Sequence, residues 1–311
     1  MLGLKRWTLK MLQDSVRHYV PGQELYDHAC MVTLRDSLHF ADASVDNYFT
    51  TPPGGKPSVF LSIKVIEPQD SARVQWNARK RSDYSSLLPD YAPLVLAISD
   101  SNGTPSQGRF LQWLQFYQRD SVMRAAILDR LSSSAFERED AARLWKFLNA
   151  RRTESDRRRA MRVLETNGLF ANRMVASAIL SNFAAHDSTW WTLVRELRDP
   201  HQAVRNVASD VLKHLPPRPV DWTPVSADLR LLLGGTNLPA MGIVIDLLDR
   251  TAVKPELSSQ LLHHNADWLL STLASENPED HPAAHRLLVR FNHGVDLGSA
   301  RANWTRWASS L

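Results

Sequence analysis

Cysteine is almost missing from this chain: Cys30 stands alone among 311 residues. A single thiol excludes an intrachain disulfide and any zinc cage built from several cysteines. Long apolar runs are missing as well. Stretches such as Leu94 to Ile98 are only a few residues long, whereas a helix needs about 20 apolar residues to cross a bilayer. The common signatures of nucleotide and hydrolase chemistry are also lacking. There is no P-loop, no dinucleotide-binding glycine fingerprint, no G-x-S-x-G elbow and no Cys–His pairing. The GGK at Gly54 to Lys56 lacks the first glycine and the trailing Ser/Thr of a phosphate-binding loop, and reads as a hairpin turn. In the opening MLGLKRWTLKML, Lys5, Arg6 and Lys10 interrupt the apolar residues. That breaks the apolar core of a secretory leader, so the segment is expected to be an amphipathic helix of the folded protein. The compartment these absences suggest is a reducing one, and a cytoplasmic protein without a membrane span is expected.

What is present is an ordinary globular composition. With 43% apolar and 23% charged residues, the chain can bury a full core, and its length suits one large domain or two of ordinary size. Punctuation changes near residue 105. Before it, Pro52, Pro53, Gly54, Gly55, Pro57 and Pro68 separate two β-rich runs, Ser58 to Ile66 and Ala92 to Ile98. Helical patterns precede them at Leu4 to Tyr19 and Gln23 to Leu38. A small α/β domain over residues 1–104 is expected, with Ser99 to Ser106 as the linker.

From residue 105 to 311 the apolar stripes keep helical spacing. The predicted helices are Ser106 to Tyr117, Asp120 to Leu131, Phe136 to Leu148, Ser155 to Glu165, Leu169 to Phe183, Ser188 to Leu197 and Pro200 to Leu215. Ala227 to Leu233, Leu238 to Arg250, Pro255 to Leu262, Asp267 to Leu273, Pro282 to Phe291 and Gly298 to Ser309 follow. Two of these stretches are related. RMVASAILSNF (Arg173 to Phe183) and RNVASDVLKHL (Arg205 to Leu215) match in register at an offset of 32 residues. In the second copy Asp199 is placed to cap the helix and Pro200 to occupy its first turn. Val204, Val207, Ala208, Val211, Leu212 and Leu215 form its buried face.

The Asp-Pro turn, the Val-Arg one turn later and the Ala and Leu at core spacing resemble a HEAT repeat. A third copy, 36 residues on, keeps Leu229, Leu233, Val244 and Leu248 but has Gly235 at the turn aspartate and Met241 at the arginine. Asp267 to Phe291 would be a fourth, capped by the tail. The resemblance implies a mainly α fold: a HEAT-like α-solenoid preceded by the small α/β domain.

The surplus of basic residues, 37 against 33, is only +4. One short stretch accounts for it. NARRTESDRRRAMR holds Arg151, Arg152, Arg157, Arg158, Arg159 and Arg162 against Glu154 and Asp156 alone. On a helix beginning near Ser155, Arg158, Arg159 and Arg162 project outward, away from Ala160, Met161 and Leu164. Such a face is either solvated and locally paired or a footprint for phosphates or carboxylates. Trp190 and Trp191 are adjacent and differ by about 100° around a helix, so one of them is expected to leave the core and could anchor a partner.

The N-terminal region carries a second pattern: Glu24 on a helix, Asp46 near a DNYF run, then Lys64 on the strand SVFLSIKV. This order resembles the restriction-endonuclease-like core, the PD-(D/E)xK nucleases. In that family, carboxylates hold magnesium and a lysine serves the attacking water. The pattern is degenerate here. Ser62 stands where an acid is required, and Glu67 lies three residues beyond Lys64, on the opposite strand face. On the plainer reading, Lys64 is a surface residue and Asp46 a turn residue. HPAAH (His281, His285) lacks the glutamate of a zincin helix, and no metal ligand is expected.

A solenoid offers a long surface for extended partners, so a non-catalytic scaffold binding a protein partner is the leading expectation. Its binding residues would be the six arginines with Trp190 and Trp191. Nucleic-acid binding is the alternative, either by a helical-repeat DNA binder of the glycosylase kind or by a magnesium-dependent nuclease using Glu24, Asp46 and Lys64. Outside that nuclease reading no cofactor is expected.

Overall fold

A computed structural model describes residues 3–25, 30–50, 58–77, 83, 146–263, 265–273 and 281–311. The predicted strand Ala92 to Ile98, the linker, the 104/105 boundary, the helices Ser106 to Tyr117 and Asp120 to Leu131, and most of Phe136 to Leu148 lie outside the described residues. Among those described, the chain is mostly helical with a single two-stranded sheet. No described helix is long and apolar enough to cross a membrane.

In chain order, α1 (Leu9–Tyr19) and the short α2 (Cys30–Val32), which runs into a π turn over Thr33–Ser37, precede β1 (Asp42–Thr50) and β2 (Ser58–Ile66). Then come α3 (Glu154–Thr166), α4 (Phe170–Leu180), α5 (Asp187–Glu196), α6 (Gln202–His214), α7 (Ser226–Leu233) and α8 (Leu238–Arg250). The chain ends with α9 (Ser258–Leu262), α10 (Ala266–Thr272), α11 (His281–Phe291) and α12 (Arg301–Ala308). Two compact units result, one from residues 1–75 with 221–311 and the other from 76–220.

The first unit joins both ends of the chain. Helix α1 starts because the Thr8 hydroxyl accepts from the Met11 N–H at 3.2 Å, and Leu12 and Val16, one turn apart, are buried. They pack with Leu25, Cys30, Leu34 and Phe40 against Ala43, Val45, Ile63 and Val65, which alternate along one face of the antiparallel hairpin. Full burial of each such aliphatic side chain contributes about 1.5–3 kcal/mol. The other face, Asp42, Ser44, Lys64 and Ile66, is buried too, because β1 lies against α8. Asp42 accepts there from the N–H of Leu238, the first residue of α8, at 3.2 Å. A carboxylate at a helix N-terminus satisfies an orphan donor and suits the dipole. A residue 196 positions away thus helps to start α8.

Two further ties hold the ends together. Arg73 donates to Asp267 at 2.9 Å, and the Thr236 hydroxyl accepts from the Gln75 N–H and donates to the Arg73 carbonyl. Glu67, fully buried, accepts from the backbone N–H groups of Lys5, Arg6 and Trp7 at 2.7, 2.9 and 3.1 Å and binds Gln69. This carboxylate gathers three successive N–H groups of the N-terminal segment at the end of the sheet.

In the second unit α3 packs on α4 and α5, and α6 packs on α4 and α5. Its turns repeat at the predicted offset. Arg173 of α4 donates to the Asn167 and Gly168 carbonyls at 3.0 and 2.9 Å, while Arg205 of α6 donates to the Asp199 and Pro200 carbonyls at 2.8 and 2.9 Å. The Asn167 and Asp199 side chains each accept from the N–H two residues on, at 2.9 and 2.7 Å. The matching carbonyls of Thr166 and Arg198 accept from Asp83 and Asn77. Asp199 also departs from its predicted role. The helix cap is His201, whose Nδ1 accepts from the Ala203 N–H at 3.3 Å, and Pro200 lies ahead of the first turn. Asp199 is instead fully buried and receives Arg173 at 2.9 and 3.0 Å, tying the first helical pair to the second.

Candidate functional site

The arginine-rich stretch folds as α3 because a capping box starts it. The Thr153 hydroxyl accepts from the Asp156 N–H at 3.2 Å, and the Asp156 carboxylate accepts from the Thr153 N–H at 3.0 Å. Ala160, Val163 and Leu164 form the buried face. That orientation sends Arg158, Arg159 and Arg162 outward, and all three are exposed, as the spacing implies.

Arg157 behaves differently. Its side chain is 13% exposed, and it donates to Glu154 at 2.6 Å and to the Ser188 hydroxyl on α5 at 2.6 Å. It is a tie between helices, which sets it apart from the other arginines of the predicted binding set. Arg151 lies over the Phe147 ring at 4.2 Å and 3.8 Å from Asp156, while the exposed Arg152 is held by the carbonyl and side chain of Asn149.

Local acids therefore take up part of the positive charge. Bonds from Arg157 and Arg158 hold the Glu154 pKa down to about 2, so this exposed carboxylate stays ionised. Partial burial works to raise the pKa of Asp156, but the Thr153 hydroxyl and N–H, with the charges of Arg151 and Arg159, prevail and lower it. The Arg157 pKa is raised by its bond to Glu154. Arg152, Arg159 and Arg162 remain exposed to solvent, and Arg158, 73% exposed, shares Glu154.

Of the two tryptophans, Trp190 is fully buried and donates from Nε1 to the Ala184 carbonyl at 2.7 Å. It is a core residue, which removes it from the predicted binding set. Trp191 is half-buried. Helix α4 is buried at every position from Ala171 to Leu180, Asn172, Arg173 and Ser177 included, so it presents no open face.

The three residues of the nuclease pattern are placed as follows. The register sets Asp46 opposite Ser62 and Ser44 opposite Lys64, which puts positions 46 and 64 on one sheet face, one step apart. Asp46 is inside a nine-residue strand rather than in a turn, and Lys64 is buried at 4% exposure rather than on the surface. Lys64 is withdrawn from solvent because the end of the hairpin that carries it is covered on both faces. Glu24 is engaged at α1, accepting from Arg17 at 2.6 Å and from Gln13 at 2.7 Å. Glu67, the substitute acid, is held by the N-terminal backbone. Burial works to raise its pKa, but the N–H groups of Lys5, Trp7 and Arg6 and the Gln69 amide bring it below the usual value. Among the described residues no group of three His, Cys, Asp or Glu is placed to hold a metal ion.

Comparison with known proteins adds no assignment: no family model, no curated protein and no solved structure matches the chain.

Proposed function

We propose that the chain is a non-catalytic interaction protein, a HEAT-like helical-repeat scaffold that binds an acidic segment of a protein partner through the outer side of α3. The observation that carries this reading is the repeated turn chemistry. Arg173 and Arg205 bind equivalent carbonyls of equivalent turns, and the Arg173–Asp199 pair locks one helical pair to the next. Stacked, nearest-neighbour units of this kind suit extended surfaces rather than closed reaction chambers.

With α4 enclosed and Trp190 in the core, the exposed groups are Arg152, Arg158, Arg159 and Arg162, with Trp191 as the half-buried aromatic. Guanidinium groups accept carboxylates bidentately. Because Glu154 and Asp156 already offset several of the arginines, the face carries modest rather than dense positive charge, which favours an acidic peptide over a polyphosphate backbone. Nucleic acid is the second reading, favoured by the exposed Arg159 and Arg162.

Fluorescence anisotropy on the full chain separates these readings. Asp/Glu-rich peptides from a display selection and a labelled DNA duplex are titrated at about 50 and 200 mM salt. The charge reversal R152E/R159E/R162E is expected to weaken peptide binding roughly tenfold or more, since a hydrogen bond to a charged group is worth about 1.5–3 kcal/mol. Tight duplex binding whose log–log salt slope falls by about 3 in the same variant would assign nucleic acid instead. Binding untouched by the charge reversal would remove α3 from the interface.

A further inference from the structure

We propose that a groove between α11 and the end of α8 in the first unit is a binding site for a small molecule bearing an oxyanion, a carboxylate or a phosphate group. The groove has a volume of about 680 Å³, within the range of about 300–1,000 Å³ usual for small-ligand sites. Asp249, His285, Arg286, Arg290, His293 and Asp296 line it, so its polar groups come from the last turn of α8, from α11 and from the segment that follows.

The acids in this groove are already committed. Asp249, 9% exposed, accepts from Arg286 Nε at 2.8 Å and lies 3.8 Å from Arg290, whose Nη2 also donates to the Asp249 carbonyl at 3.3 Å. Asp296 accepts from the Gly298 N–H at 2.7 Å and lies 2.9 Å from His285 Nε2. The His285 ring sits edge-on to Trp304, with centroids 6.0 Å apart, which fixes its plane.

What remains on offer is donors. A guanidinium is planar, and Arg286 is held through Nε, so the edge formed by its two Nη groups is separate from the edge facing Asp249. Arg286 is 58% exposed, and no described residue accepts from that edge. Arg290, 37% exposed, sets a second guanidinium beside the groove, anchored by Nη2 on the Asp249 carbonyl. His293 stands exposed with a φ of +53°, followed by Gly294 at +86°, where the chain leaves α11. A fixed Arg fork, a second cationic side chain and an exposed imidazole around one concavity match the geometry of a bound carboxylate or phosphate.

The test uses the full chain, labelled with nitrogen-15, titrated with inorganic phosphate and separately with acetate at constant ionic strength. Saturable shifts of the His293 and Arg286 resonances are expected. R286A is expected to weaken binding roughly tenfold or more, the worth of a charged hydrogen-bonded fork, and H293A by a smaller factor. H293A changes an exposed residue, so it reports even if R286A disturbs the packing of α11 on α8. Saturation by phosphate alone assigns a phosphate ligand, and saturation by acetate extends the site to carboxylates. Shifts that stay linear and match those of sodium chloride, or wild-type titrations in both variants, overturn the proposal.

Discussion

Removing either partner of the Arg173–Asp199 pair should cost the second unit far more than an ordinary surface ion pair would. The side chains are 5% and 0% exposed and meet through two bonds at 2.9 and 3.0 Å. Asp199→Ala leaves a guanidinium buried without its counter-charge, a situation worth about 3–5 kcal/mol. Arg173→Met leaves the Asp199 carboxylate with the His201 N–H, and it also strips a donor from the Asn167 and Gly168 carbonyls. A similar loss of about 3–5 kcal/mol is expected. The double variant R173M/D199N removes both charges of the pair together, leaving neither partner without the other. It should therefore cost less than the two single changes added together, with a coupling of about 1–3 kcal/mol. A chain of two compact units need not unfold in one step, so the assay should be local: hydrogen exchange read by mass spectrometry on peptides covering residues 167–180 and 197–205. Faster exchange in both peptides for each single variant, partly restored in the double, is the expected pattern. Single changes that cost under about 1 kcal/mol, or effects that simply add, would refute the claim that this pair couples successive helical pairs.

Two other perturbations bear on the first unit. Gly3 has a φ of +90°, and a Cβ there would sit 2.0 Å from the Val65 carbonyl and 2.7 Å from the Trp268 ring. Gly3→Ala should release the N-terminal segment from the sheet, seen as new proteolytic cleavage before α1, and a resistant variant would contradict the packing. Glu67 is an acid whose folded pKa is lowered, so its contribution is complete above the unfolded value of about 4.5 and fades as pH falls through the folded value. Amide protection at Lys5, Arg6 and Trp7 should therefore hold at pH 7 and drop in acid. Glu67→Gln should lower it already at pH 7, by about 1–3 kcal/mol, and equal protection in wild type and variant would show that the carboxylate is not the fastener.

Much of the local architecture is legible in the order of residues alone. The helices from Ser155 to Phe291 fall within about three residues of their predicted limits, and the strand Ser58 to Ile66 matches in full. The 32-residue kinship of Arg173 and Arg205 returns as identical turn hydrogen bonds, because side-chain spacing and turn chemistry are read within one or two helices. The outward direction of Arg158, Arg159 and Arg162 follows from the same periodicity. β1 is visible only as a short run. Its buried end carries Asp42 and Ser44 on one face and Ala43 and Val45 on the other, and Asp42, Asp46 and Asn47 are of residue types depleted in strands.

The sequence by itself therefore determined most of the described helices, the strand Ser58 to Ile66, the kinship of two turns and the placing of the basic cluster on one helix face, since these depend on local patterns of residues. Only the tertiary structure decided which polar groups are withdrawn from solvent. It put Trp190 in the core and left Trp191 half-buried, committed Arg157 to Ser188 and Glu67 to the N-terminal backbone, and enclosed Lys64. It also brought Asp249 to Arg286, and Asp42 to the start of α8. Each of these depends on segments meeting across 31 to 196 residues or on what covers a face, and a contact of that range is fixed by the packing of whole elements rather than by any local pattern of residues.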